Sequence, residues 1–204
     1  MLTVANLACV RGERLLFEGV SFTLVPGEWL HLEGENGSGK TSLLRIVCGL
    51  LHPVDGEIRW NGTTAAEAGD DYHEELLYLG HAGAIKEDLT ALENLRIGAA
   101  LAGRTLDEQA ALAALRRLGL KGREDLPSRF LSQGQKRRVA LARLLTSTAR
   151  LWVLDEPFVA LDARAVALLC GILAEHLRDG GMALFTSHQA VDLGAGGRSL
   201  RLGQ

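Results

Sequence analysis

Apolar and polar positions change rhythm three times along this chain. From Leu2 to about Leu32, short apolar runs alternate with turn signals such as Arg11-Gly12 and Pro26-Gly27, a spacing that predicts consecutive β-strands. The strand Glu28 to Glu33 meets a glycine-rich loop, after which Leu43, Leu44, Val47 and Leu50 recur on one face at helical spacing. Strand, loop and helix in that order open a βαβ unit. The stretch from about Leu89 to Leu131 is rich in alanine and leucine, with Asp107, Glu108, Arg116 and Arg117 on polar faces, and predicts a helical subdomain at about 89–135. From Leu151 buried strands return (LWVLD, then MALFTS), separated by the amphipathic segment Ala163 to Arg178, which is the pattern of a parallel sheet. No internal repeat or low-complexity linker interrupts this order.

Composition changes the picture little. The 204 residues, 47% hydrophobic and 23% charged, suit a single domain spanning 1–204 with a substantial core. A net charge of -3, with no block of like charge, argues against nucleic acid as a partner. The opening MLTVANLACVRGER lacks a basic start before a long apolar run, so no signal peptide is expected and the chain should stay in the cytoplasm. No run approaches the roughly 18 apolar residues of a spanning helix, so membrane association should be peripheral. Cys9, Cys48 and Cys170 are far apart among apolar neighbours and are expected to be inert thiols.

Three segments carry candidate chemistry. Gly34-Glu35-Asn36-Gly37-Ser38-Gly39-Lys40-Thr41 fits G-x-x-x-x-G-K-[ST] with a strand before it and a helix after it. Its glycines let backbone N–H groups converge on phosphate oxygens at a helix N-terminus; Lys40 would reach β- and γ-phosphates and Thr41 would bind Mg²⁺, the alternative being a fortuitous glycine-rich turn. Leu151-Trp152-Val153-Leu154-Asp155-Glu156 is an apolar strand ending in two carboxylates. Asp155 would hold Mg²⁺ through its water shell and Glu156 would act as general base on the attacking water, although a strand that merely ends in solvated acids reads the same way in isolation. Between them, Leu131-Ser132-Gln133-Gly134-Gln135 precedes a helix for which Ser132 is a good N-cap. Lys136, Arg137 and Arg138 oppose that helix's dipole, which points to an anionic partner, or to a solvated basic helix start.

The set GENGSGKT, LSQGQ, LWVLDEP, Ala160-Leu161-Asp162 and Thr186-Ser187-His188, in this order and spacing, resembles the nucleotide-binding domains of ABC transporters over nearly the whole chain. The resemblance implies an α/β P-loop ATPase fold with an N-terminal antiparallel β region and a helical subdomain. It further implies ATP binding by Gly34 to Thr41 and the adjacent Ser42, and contact of Ser132, Gln133, Gly134 and Gln135 with the ATP of a second copy in a sandwich dimer. Asp162 would lie in the dimer-contacting loop, and His188 would touch the γ-phosphate where a lone core histidine would otherwise be the default. Within that family, Leu79-Gly80-His81 replaces the usual glutamine loop and continues through Ala82-Gly83-Ala84-Ile85-Lys86 to Leu89-Thr90-Ala91-Leu92-Glu93-Asn94-Leu95; imidazole being a poor Mg²⁺ ligand, His81 would donate a hydrogen bond to a water or phosphate, or position a coupling loop that meets the membrane subunit. Arg11 stands where an aromatic commonly stacks on adenine; a guanidinium can do the same, and a surface arginine in a turn is an equal reading. With the opening LACVRGERLLFEGVSFTLVPGEW and the short chain, these departures resemble the ATP-binding subunits of haem-export and cytochrome c maturation systems. That implies membrane-spanning, haem-handling partner subunits and a place on the cytoplasmic face of the inner membrane. The ATPase of another small exporter, or a soluble non-transport ABC ATPase, are the alternatives.

Overall fold

The structure is a computed structural model that describes residues 1–81, 84–189 and 191–203. It divides into two compact units, the first formed by residues 1–78, 149–156 and 173 onwards, the second by 79–148 and 157–172.

The first unit holds two sheets. β1 (Leu2–Arg11) pairs antiparallel with β2 (Arg14–Leu24) and with β4 (Asp55–Trp60), and β5 (Thr63–Thr64) extends the edge, in the order β2-β1-β4-β5. The second sheet has the order β6-β7-β8-β3-β9, with β6 (Leu76–Leu79), β7 (Leu151–Leu154), β8 (Met182–Thr186), β3 (Trp29–Glu33) and β9 (Gly197–Arg201). β7, β8, β3 and β9 pair parallel. Every residue of β7 and β8 is buried, as continuous apolar strands in the middle of a parallel sheet must be, whereas β1 alternates. Leu2, Leu7 and Leu24 from the first sheet, Leu43, Leu44 and Val47 from helix α1 (Lys40–Val47), and Leu151, Val153 and Leu184 share one core. Helix α2 (Ala65–Glu74) closes on this core through Tyr72, whose hydroxyl donates to the Val47 carbonyl at 2.7 Å.

Leu50 is a correction to the expected helical face. The helix ends at the Cys48 cap, Gly49 turns the chain at φ 70°, and Leu50 is 63% exposed. Cys9 and Cys48 are buried and Cys170 is half-buried, and burial pushes all three thiols up from their ordinary pKa.

The second unit carries α3 (Ala91–Leu101), α4 (Glu108–Arg117), α5 (Gln133–Leu145) and the start of α6 (Ala163–Arg178), whose last turns belong to the first unit. Capping boxes open α3, through Thr90 and Glu93, and α5, through Ser132 and Gln135, and the Asp107 side chain caps α4. Asn94 is buried and ties together residues 86–90 and 128: its amide donates to the Lys86 and Thr90 carbonyls and to Ser128 Oγ, and its oxygen accepts from the Lys86 N–H. Ala82 and Gly83, within that loop, lie outside the described residues. Among the described residues no helix is long and apolar enough to cross a membrane.

Candidate functional site

In the first unit, the glycine-rich loop, the end of β7 and the end of β8 converge. Gly34, Gly37 and Gly39 have positive φ values of 146°, 83° and 99°, which few other residues adopt. A Cβ on Gly39 would also lie 2.9 Å from the Phe17 ring, so this position requires glycine twice over. Lys40, the first residue of α1, folds back over the loop and donates to the carbonyls of Gly34 at 2.6 Å and Glu35 at 3.1 Å. Its ammonium is therefore held at the concave side of the loop, where terminal phosphate oxygens could replace the carbonyls. Glu35 and Asn36 line an adjoining cavity of about 410 Å³ with Ser38, while Ser42 faces the core and is buried.

Thr41 Oγ1 donates to Asp155 Oδ2 at 3.0 Å, tying the loop to the strand end. The other Asp155 oxygen accepts from Thr186 Oγ1 at 3.0 Å, and Thr186 Oγ1 in turn accepts the Glu156 backbone N–H at 2.8 Å. In the sequence Thr186 is part of a motif with no role of its own, yet its hydroxyl joins both carboxylate residues. The sequence signal is a hydroxyl residue, two positions before the histidine, that ends an otherwise apolar strand. Asp155 is buried and the Glu156 side chain nearly so, and His188 Nε2 stands 3.5 Å from Glu156 Oε1.

A hydroxyl and a carboxylate, both hard oxygen donors at 3.0 Å, suit a cation that keeps water and phosphate oxygens in its shell, as Mg²⁺ does. Among the described residues no cluster of three or more His, Cys, Asp or Glu could hold a metal by itself, so phosphate or water would have to complete the shell.

Arg11 is exposed at the β1–β2 hairpin and lies directly across the ladder from Arg14. Arg14 went unmarked in the sequence, yet it lines the cavity beside Glu35 and Asn36, and a Cβ on Gly37 would lie 3.9 Å from its guanidinium. Nothing in a hairpin turn of charged residues distinguishes one arginine from the other until the register is known.

In the second unit, Ser132 and Gln133 are exposed at the start of α5, with Gly134 and Gln135 half-buried behind them. Ser132 Oγ accepts the Gln135 N–H at 3.3 Å, and Gln135 Oε1 accepts the Ser132 N–H at 2.9 Å. A Cβ on Gly134 would come within 2.9 Å of the Ala160 carbonyl, so the helix start and the Ala160-Leu161-Asp162 loop touch backbone to backbone. Asp162 caps α6 by accepting the Ala165 N–H at 2.8 Å and pairs with Arg138 at 2.6 Å; the backbone N–H, with Arg138 beside it, holds its carboxyl below the usual range.

The cations after Ser132 are thereby reinterpreted. Lys136 pairs with Glu87 at 2.6 Å, Arg138 with Asp162, and buried Arg137 donates to the Pro157 and Gly80 carbonyls. Partners inside the unit account for all three, with no need for an external anion. Exposed His81 shares a cavity of about 370 Å³ with Gln133, Lys136, Arg137 and Ala160.

A glycine-rich loop tied to a two-carboxylate strand end, followed by a histidine, is the arrangement expected of an ATP-binding cassette. Residues 17–159 match the ABC transporter family, and the chain belongs to it. Closer relatives carry one name: the chain is 59% identical to the cytochrome c biogenesis ATP-binding export protein CcmA of Nitrosomonas europaea, over 94% of this chain and 90% of that protein. It is 58% identical to the protein of the same name from Dechloromonas aromatica, over 100% of both. Among solved structures, the ATP-binding subunit of an ABC transporter matches with a TM-score of 0.80 at 30% identity, covering 92% of this chain and 79% of that one.

Proposed function

We propose that this chain is the ATP-binding and ATP-hydrolysing subunit of a membrane ABC complex that handles haem for cytochrome c biogenesis. The observation that carries the reading is the meeting of phosphate loop and strand end at Thr41 and Asp155, 3.0 Å apart, in a chain so similar to export proteins of that system. Both units form one ABC ATPase domain spanning 1–204, the helices at about 89–135 being its helical subdomain.

The backbone N–H groups from Gly34 to Thr41 bind the phosphates, Ser42 supports the loop, and Arg11 borders the base. Lys40 exchanges its carbonyl partners for β- and γ-phosphate oxygens. Thr41 and Asp155 would hold Mg²⁺, which would supply positive charge against the phosphates. Glu156 orients and deprotonates the attacking water, and His188, beside it, steadies the γ-phosphate. Phosphoryl transfer asks little covalent chemistry of a protein, so these groups act by placement and charge. Ser132, Gln133, Gly134 and Gln135 of a second copy close over the same ATP, Asp162 lies at that contact, and His81 transmits closure to membrane-spanning subunits. The chain thus sits peripherally on the cytoplasmic face of the inner membrane.

The test is Lys40→Ala in the tagged full-length chain. ATP binding and hydrolysis should fall together by about 100-fold or more, since one cation on the terminal phosphates is not replaced by backbone dipoles. The wild-type chain, recovered from membranes, should bring multi-span haem-handling subunits with it. Near-normal hydrolysis in the variant, or recovery without membrane subunits, would overturn the respective half of the reading.

A further inference from the structure

Two histidines, one within the parallel sheet and one just beyond the end of β8, differ in kind. His188 is 60% exposed in its side chain, whereas His31, in the middle of β3, is 7% exposed and has no place in the chemistry above. A polar ring in a strand whose neighbours are Trp29, Leu30 and Leu32 loses hydration and must recover it from a partner. His31 finds one in the Ser187 carbonyl, 3.1 Å from its Nε2. We infer that His31 is a positioning residue for ATP hydrolysis, holding the Ser187–His188 peptide so that His188 faces Glu156. This inference rests on the roles proposed above for Glu156 and His188.

The geometry is specific. A carbonyl can only accept, so the proton must sit on Nε2 of His31. The competing tautomer would direct Nδ1–H to Glu33 Oε1 at 3.5 Å, a longer approach to a carboxylate that is 45% exposed, and would turn a lone pair toward the carbonyl. Ring orientation is fixed by packing: His31 stacks on Phe185 with centroids 5.2 Å apart and planes 17° apart, and Trp29 stacks on Phe185 at 5.7 Å. His31 and Phe185 are partners in the β3–β8 ladder, so the ring stands beside the strand from which Ser187 emerges.

The carbonyl that His31 holds belongs to the peptide whose nitrogen is that of His188, so rotation of that plane swings the His188 side chain. Beyond it, Ser187 Oγ accepts the Gln189 N–H at 2.9 Å and donates to the Gln189 carbonyl at 3.0 Å, closing a tight turn around His188. Before it, Thr186 is tied to Asp155 and to the Glu156 N–H. His31 therefore supplies an anchor from the neighbouring strand β3 for a turn that is also tied, through Thr186, to the end of β7.

The discriminating experiment compares His31→Leu and His31→Gln in the full chain, with kcat and KM for ATP and the unfolding midpoint measured for each. Leucine fills the space but donates nothing; glutamine places an N–H at similar reach. His31→Leu should lower kcat about tenfold with KM for ATP within about twofold, because misplacing a catalytic group taxes the transition state more than binding. His31→Gln should recover at least about half of the wild-type kcat. Wild-type kcat in His31→Leu, or an equal loss in a folded His31→Gln, would overturn the inference. If the leucine variant fails to fold, His31→Met, which also fills the space without donating, takes its place with the same expected loss of kcat. A wild-type chain that binds ATP without hydrolysing it would instead overturn the roles of Glu156 and His188, and the inference with them.

Discussion

Glu156 sits in a backbone conformation that most side chains avoid, with φ at 50°. The left-handed region costs a residue with a Cβ about 1–2 kcal/mol, and here the Thr186 hydroxyl, accepting the Glu156 N–H at 2.8 Å, helps hold the residue there. Strain retained at a carboxylate that the proposed chemistry requires is strain exchanged for function. Glu156→Gly should therefore raise the unfolding free energy by about 0.5–1 kcal/mol, after allowance for glycine's larger unfolded-state entropy, while abolishing hydrolysis. Denaturant titration beside an ATPase assay checks both, and a variant that is less stable, or still active, refutes the account. The acidic pair itself was legible in LWVLDE, but the twist that aims it was not. Pro157 disfavours the right-handed helical region for the residue before it and argues for an extended backbone, so local sequence pointed to the wrong conformation. Only the sheet context, with Thr186 opposite, selects the observed one. The same limit applied to His31, which reads in sequence as an interruption of an apolar strand until its register beside Phe185 is known.

Elements with strong internal signals were legible and those defined by pairing were not. Ser132 with Gln135 three residues on spelled the start of α5, and the amphipathic run Ala163 to Arg178 matches α6 end to end. β7 and β8 announced themselves as unbroken apolar runs. β9 did not, because GRSLR is an exposed, polar edge strand whose only claim to be a strand is its pairing with β3. α2 escaped as well: Gly69 stands inside it at φ 52°, and Tyr72 is its only buried residue, so no periodic stripe marks it. At α5 the structural and chemical roles of one hydroxyl can be separated. Aspartate caps helices as well as serine and favours the dipole, so Ser132→Asp should leave the unfolding midpoint unchanged or slightly higher, whereas Ser132→Ala should cost about 1 kcal/mol. If Ser132 meets a γ-phosphate, the aspartate variant should lose at least about tenfold in ATPase rate through like-charge repulsion despite its stable helix. Equal activity in the stable aspartate variant would confine Ser132 to capping.

At the scale of the whole molecule, the proposed site residues divide between the two units: Lys40, Thr41, Asp155, Glu156 and His188 belong to the first, and Ser132, Gly134, Asp162 and His81 to the second. If the second set serves the ATP of another copy, association must depend on ATP and must reverse when the γ-phosphate leaves. Anything that binds the associated state more tightly shifts the equilibrium toward it, so slowing hydrolysis should make the dimer accumulate. Glu156→Gln does this with least disturbance, since the amide has the shape of the carboxylate but cannot take a proton from water. Gel filtration should show this variant running as a dimer with ATP and Mg²⁺, and as a monomer with ADP or without nucleotide, while the wild type in ATP remains mostly monomeric. The dimer fraction should climb with ATP concentration. Adding Ser132→Asp to the same chain should abolish the dimer, because each ATP would then face a carboxylate from the opposite copy. A Glu156→Gln chain that stays monomeric with saturating ATP, or dimerises equally with ADP, would sink the sandwich arrangement. In that case the exposed start of α5 would have to be assigned to a different partner.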